Sequence, residues 1–228
     1  MIKKIKKFLF PIRHTLKVFW ITKILKDKLF IIRQQFKADD YKFDLRCKYP
    51  LTENSVVFDF GGYKGEWAQR IWDKYYCNIY IFEPIKEFLD EAKEKFKGNK
   101  KIKFFNYGLS DKDEEQLISI DGVASSTFMG KRDTKIFLKD VKKVIEDLNI
   151  DRINLLKINI EGGEYVVLPS MIESELIKKC DDIQIEFHHF YPNAEKLRKD
   201  IQTDLSKTHH LTYDYPFFFE NWKINQNK

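Results

Sequence analysis

The stretch VVFDFGGYKGEW, Val56 to Trp67, decides the fold. An apolar run of β-branched and aromatic residues, interrupted by Asp59, stops at Gly61-Gly62. A helical spacing of Trp67, Ala68, Ile71, Trp72 and Tyr75 begins straight afterwards. The pattern predicts a strand, a tight glycine turn and a helix over residues 64 to 75.

Outward from this unit the chain keeps alternating. NIYIFE (78–83) reads as a strand and Ile85 to Phe96 as a helix closed by Gly98-Asn99. KIKFFNYG (101–108) reads as a strand, followed by an irregular stretch through DKDEEQLISIDGVASSTFMG. A short helix over 140–148, a strand INLLKINI (153–160), a helix over 165–178 and a strand DIQIEF (182–187) come next. A helix over 194–205 and an extended HLTYDY (210–215) complete the series. Such alternation implies an α/β fold with a mostly parallel sheet and helices on both faces. There is no internal repeat and no low-complexity linker.

With 228 residues, 43% of them hydrophobic, the chain is long enough for one good core and an extension, too short for two full enzyme domains. Cys47, Cys77 and Cys180 lie far apart without a CxxC pair, which suggests neither a disulfide framework nor a zinc site and fits a reducing cytoplasm. No metal is expected. The formal charge of +6 conceals an asymmetry. Residues 1 to 37 hold eleven Lys/Arg against one acid, Asp27, whereas residues 38 to 228 hold 30 Lys/Arg against 34 Asp/Glu, a net of −4. The basic segment has no apolar run near the roughly 20 residues that a spanning helix needs, and no signal-type cleavage site. After Pro11, Leu16, Phe19, Trp20, Ile24 and Ile31 recur at helical spacing among cations. This reads as an amphipathic helical extension, residues 1–45, preceding a catalytic domain, residues 46–228. Its expected partner is the protein's own core or a second subunit, the inner face of a membrane, or nucleic acid, since basic segments of this kind serve all three uses.

In an open parallel sheet, ligands sit beyond the carboxyl ends of the strands where strand order reverses. Gly61, Gly62 and Gly65 let the chain turn tightly there and let a ligand approach backbone amides. A dinucleotide fingerprint fails because Phe60 stands where its first glycine should be. A phosphate-cradling P-loop fails because Glu66 occupies its second glycine position. Asp59 would repel pyrophosphate and welcome an ammonium, and Glu83, ending the second strand, lies at the ~20-residue separation at which an acid bonds ribose hydroxyls. A cationic adenosine compound carrying an amino acid satisfies both, namely S-adenosylmethionine.

DFGGYKG, IFEP, NYGLSD, LLKINIEGGEYVVLP and IQIEFH, in this order, resemble the FkbM family of S-adenosylmethionine-dependent methyltransferases over roughly residues 55 to 215. The resemblance implies a Rossmann-like class I methyltransferase sheet with a seventh strand inserted antiparallel near its edge. It also implies methyl transfer to an oxygen, often of a sugar in polysaccharide or secondary-metabolite pathways. Asp59, Gly61 and Gly65 match the first cofactor motif and Glu83 the ribose acid, while Asn106 and Gly108 fall where adenine or ribose contacts are expected.

On the acceptor side, alternation puts Lys157, Asn159 and Glu161 on one side of the fourth strand and Gln184, Glu186 and His188 on one side of the fifth. A polar stripe across a buried sheet is either paired or used. A Lys157–Glu186 ion pair would be the structural form, and an active site the functional one. The family often has Asp at Asn159, and an amide cannot accept a proton there. His188 and Glu161 are therefore the expected bases, with Asn159 and Lys157 orienting. VASSTF (123–128) offers hydroxyls to a substrate-covering loop, and YDYPFFFENW (213–222) offers aromatics for a sugar face, the core or a dimer interface. A saccharide or other small hydroxyl-bearing acceptor is expected. The alternatives are a nucleic-acid methyltransferase, against which the net charge of 38–228 argues, and a non-catalytic binding or membrane-associated module that keeps the fold; the glycine spacing disfavours a nicotinamide oxidoreductase.

Overall fold

The computed structural model describes residues 28–121, 124–126 and 134–225. The chain divides between Leu45 and Arg46 into two compact units. In the first, helix α1 (Lys28–Asp39) ends where Asp40 N donates to Phe36 O at 2.7 Å, and the Asp40 carboxylate then accepts from Leu45 N at 3.0 Å. Most of the predicted amphipathic segment, residues 1–27, lies outside the described residues. Among the described residues no helix is long and apolar enough to cross a membrane.

The second unit runs β1 (Val56–Phe60), α2 (Glu66–Tyr75), β2 (Asn78–Phe82), α3 (Lys86–Lys95), β3 (Ile102–Phe105), β4 (Gly108–Ser110), β5 (Glu114–Asp121), β6 (Ala124–Ser126) and β7 (Thr134–Asp140). It continues with α4 (Val141–Asp147), β8 (Ile153–Ile158), α5 (Glu164–Glu173), β9 (Cys180–Ile185), α6 (Ala194–Leu205), β10 (His209–Tyr215) and β11 (Phe219–Ile224). Seven strands form the main sheet in the order β3-β2-β1-β8-β9-β11-β10. β11 alone is antiparallel to its neighbours, the inserted strand that the resemblance implies. β1 and β8 are buried on both sides because helices cover the sheet. Phe58, Phe60, Leu156 and Ile158 join Val144 of α4, Leu168 of α5 and Ile201 of α6 in the principal core. Aromatic rings stack across the strands, Phe60 edge-on to Phe82 at 5.3 Å and Phe82 on Phe105 at 4.7 Å, each such pair contributing about 0.5–1.5 kcal/mol beyond burial.

Three departures from the sequence reading bear on the site and the sheet that carries it. The stretch expected to be irregular contains β5 and β6, which join β7 and β4 in a second sheet, order β4-β7-β5-β6. The expected strand at 101–108 breaks at Asn106-Tyr107, so that β4 leaves the main sheet for the second one. Residues 219–224, read only as part of an aromatic cluster, are the interior strand β11. The VASSTF loop is only partly described, through β6.

Candidate active site

Strand order reverses between β1 and β8, and a cleft of about 530 Å³ opens beyond their carboxyl ends. Gly61 follows β1, Glu83 follows β2, and Asn159, Ile160, Glu161 and Gly162 follow β8. All of them line the cleft. The second sheet supplies another wall through Gln116, Ile118, Ile136 and Leu138, and Gly108 to Lys112 close the side near β4. Glu83 is buried, and each of its oxygens accepts one backbone amide: Oε2 from Tyr63 N at 2.8 Å and Oε1 from Ile85 N at 2.9 Å. Burial raises its pKa, and these two hydrogen bonds oppose that shift.

Of the three turn glycines only Gly61 faces the cleft. Its φ of +78° and a Cβ position 2.0 Å from Asn159 O leave room for glycine alone, because the two loops at the switch point touch backbone to backbone. Gly62 instead lies against Ile81, and Gly65 against Ala92 and Phe96 of the α3 region, and neither lines the cleft. Asn106 is likewise turned away: its amide donates to Glu83 O at 3.1 Å and Pro84 O at 3.0 Å, pinning the turn that carries Glu83. Gly108 does line the cleft, beneath Leu138. Lys64 pairs with Glu91 at 2.9 Å.

Asp59 lies behind the turn rather than in the cleft. It is 0% exposed, and the ammonium beside it comes from the protein: Lys157 Nζ donates to Asp59 Oδ1 at 2.8 Å and to Gly61 O at 2.7 Å. Register explains the pairing, since Asp59 stands opposite Lys157 on adjacent parallel strands. The polar stripe is real, but it runs Asp59, Lys157, Gln184, Asn221 across β1, β8, β9 and β11, and the expected Lys157–Glu186 pair gives way to Lys157–Asp59. Tyr49 caps the row. Its hydroxyl accepts from Gln184 Nε2 at 2.7 Å and donates to Asn221 Oδ1 at 3.1 Å, while Asn221 Nδ2 reaches Asp182 at 3.2 Å.

β8 ends at Ile158, and Glu161 takes a φ of +53°, so strand alternation does not carry through to Glu161. Here His188 is clamped. Its Nδ1 lies 3.0 Å from Glu164 Oε1 and its Nε2 3.4 Å from Glu161 Oε2. Burial alone would push the imidazole down, but hydrogen bonds and charge from Glu161 and Glu164 outweigh it and lift the pKa to about 10. His188 therefore holds its proton at neutral pH, and the expected base is a cation with both N–H groups committed. Sequence reading missed Glu164, the hub of this arrangement. Fully buried in the first turn of α5, it accepts from Gly162 N at 2.9 Å and His188 N at 2.9 Å as well as from the ring. An acid at a helix start directly after Gly-Gly was the available signal. His189 is exposed, in the turn that follows. Among the described residues no group of three or more His, Cys, Asp or Glu is arranged to hold a metal ion.

Residues 139–215 match the model of the methyltransferase FkbM domain. The matched FkbM stretch begins at the end of β7 and includes β8, β9 and β10, with Lys157, Asn159, Glu161, Glu164, Glu186 and His188. The glycine turn and Glu83 lie before it. None of the curated proteins compared matches the chain. Among solved structures, a candidate rRNA methylase of Clostridium thermocellum superposes with a TM-score of 0.51 at 8% identity, covering 82% of this chain and 96% of that one. An rRNA methylase from Streptococcus thermophilus gives 0.47 at 12% identity, covering 77% and 90%. A candidate methyltransferase from Streptococcus mutans in complex with SAH gives 0.48 at 12% identity, covering 82% and 97%. At such identities the likeness is one of fold, and the fold is the Rossmann-like class I methyltransferase sheet.

Proposed function

We propose that this chain is an S-adenosylmethionine-dependent methyltransferase acting on a hydroxyl oxygen of a sugar or saccharide-linked acceptor. The observation that carries the reading is the cleft at the switch point, whose volume suits a small ligand and whose groups divide as that cofactor requires. Each oxygen of Glu83 accepts one amide and keeps acceptor capacity, enough for a ribose diol. Pro84, Ile85, Phe88 and Leu109 offer an apolar berth for a base. Asn159 Oδ1 is buried without a hydrogen-bond partner at the cleft wall. It suits the ammonium of the methionine moiety; Asp59, expected in that role, has Oδ1 tied to Lys157 and Oδ2 buried without a partner. The match to the FkbM domain supports methyl transfer as the chemistry. When bound, the cofactor supplies a methyl group on a sulfonium sulfur. Glu83, Asp111, Glu114 and Glu161 against Lys112 alone make the lining anionic, favouring that cation over a pyrophosphate.

The names of the similar structures raise RNA as a second acceptor class. The net −4 of residues 38 to 228 supports an uncharged acceptor instead. Calorimetric titration with S-adenosylmethionine, with NAD as control, tests the cofactor. Saturable binding of the former alone is expected, and binding of NAD or of neither overturns the reading. Labelled methyl should then pass to a pool of cellular saccharides; passage to RNA alone would transfer the assignment to the second class.

A further inference from the structure

We infer that Glu186 takes the acceptor's proton, and that the acceptor oxygen therefore sits beside the cleft on the β9 side. The inference rests on the methyltransferase reading above. The other ionisable groups at this corner are already committed. His188 donates both ring N–H groups, Glu161 pairs with that imidazolium, and Glu164 is buried with three donors on it. Asp59 is sealed behind the turn on Lys157, and Asn159 is an amide.

Glu186 differs in each respect. It is the first residue past β9, and its N–H donates to Ile158 O at 2.9 Å, which fixes its backbone beside the residue that precedes Asn159; Asn159 lines the cleft and Glu186 stands just behind it. Because that bond extends the β8–β9 ladder by one residue, Glu186 keeps to the side of Gln184, which is in register with Lys157. Among the described residues nothing donates to its carboxylate; the residue as a whole is partly exposed while the carboxylate is largely withdrawn from water, which leaves an incoming hydroxyl as its donor. The charged groups around it are Lys157 of β8, Glu161 of the following turn, Glu164 of α5 and His188 of its own segment, with Asp59 of β1 behind Lys157. Burial raises Glu186 most, the two cations pull it back, the neighbouring carboxylates add to the rise, and its pKa settles at about 7. A base matched to neutral pH is the efficient one.

In the step, the acceptor oxygen gives its proton to Glu186 and its lone pair to the methyl carbon. The carbon–sulfur bond breaks with its pair left on sulfur, so the sulfonium charge is discharged as the carboxylate is neutralised. A base for the acceptor belongs beside the cofactor cleft rather than within it, which is where Glu186 stands.

The test compares the full chain with Glu186→Gln and Glu186→Asp. Calorimetry should give the same S-adenosylmethionine affinity for all three. With labelled cofactor and the saccharide pool, Glu186→Gln should lower turnover ~100-fold or more, with part regained in Glu186→Asp. A third readout needs no acceptor. A carboxyl whose folded pKa lies above its unfolded value near 4.3 favours the folded state below that value, and this contribution is lost as pH rises through about 7. Glu186→Gln should therefore raise the urea midpoint relative to wild type above pH 7 by more than it does in acid. Undiminished turnover in Glu186→Gln, or a urea difference independent of pH, overturns the inference. Failure of the wild-type chain to bind S-adenosylmethionine would instead strike the underlying reading.

Discussion

Lys157 and Asp59 hold opposite charges with almost no access to water, 6% and 0% exposed. Removing one member of such a pair leaves the other uncompensated, which costs about 3–5 kcal/mol, whereas exchanging both for apolar residues is often neutral. Lys157→Met should accordingly lower stability by ~3–5 kcal/mol in urea denaturation, and the double variant Asp59→Leu/Lys157→Met should recover most of the loss. His188 gives a pH signature of opposite origin. Its folded pKa of about 10 lies above the unfolded value near 6.5, so its contribution is complete below pH 6.5 and lost as pH rises through 10. Wild type should lose stability over that window, and His188→Gln should flatten the curve. The sequence marks Asp59 and His188 as unusual residues but not their partners. Lys157 is 98 residues from Asp59, and only strand register brings them together.

At the scale of elements, most strands and helices of the main sheet were legible because burial on both sides leaves long apolar runs. β5 and β7 were not legible as a sheet, since their in-and-out polarity is scrambled. The side facing the cleft carries Gln116 among isoleucines, while Leu117 and Phe137 are 54% and 52% exposed. β11 was hidden by Glu220 and Asn221, polar residues that an interior strand tolerates because Arg198, Tyr49 and Asp182 meet them. The second sheet's own apolar cluster is small: Ile85, Ile118 and Ile136 with Phe88 and Leu138. Ile136→Ala should thus cost about 2 kcal/mol, the low end for a buried isoleucine, while Ile158→Ala in the principal core should approach ~4–5 kcal/mol. Ile136 also walls the cleft, so calorimetry should show its replacement weakening S-adenosylmethionine binding several-fold.

Over the whole molecule, charge is segregated: eleven cations stand within residues 1 to 37 and a net −4 over the remainder. Any adsorption of RNA by the full chain should therefore fall steeply with salt and vanish when those lysines and arginines are replaced by Gln, with cofactor affinity unchanged in calorimetry. The alternating order of the sheet was readable at this scale, and the reversal point follows from it by rule. The division of labour around that point was not. Which glycine meets ligand, which acid meets lysine and which carboxylate stays free depend on contacts between segments far apart in the chain.

The position of β11 bears on how the molecule is made. During synthesis β10 leaves the ribosome before β11, yet β11 must lie between it and β9. Direct docking of β10 onto the exposed edge of β9 would be a kinetic trap. The short connection from Tyr215 to Phe219, closed by Phe218 N on Tyr215 O at 2.9 Å, favours the alternative. The β10–β11 hairpin forms locally within microseconds of emerging and adds to the sheet as one piece, inner strand first.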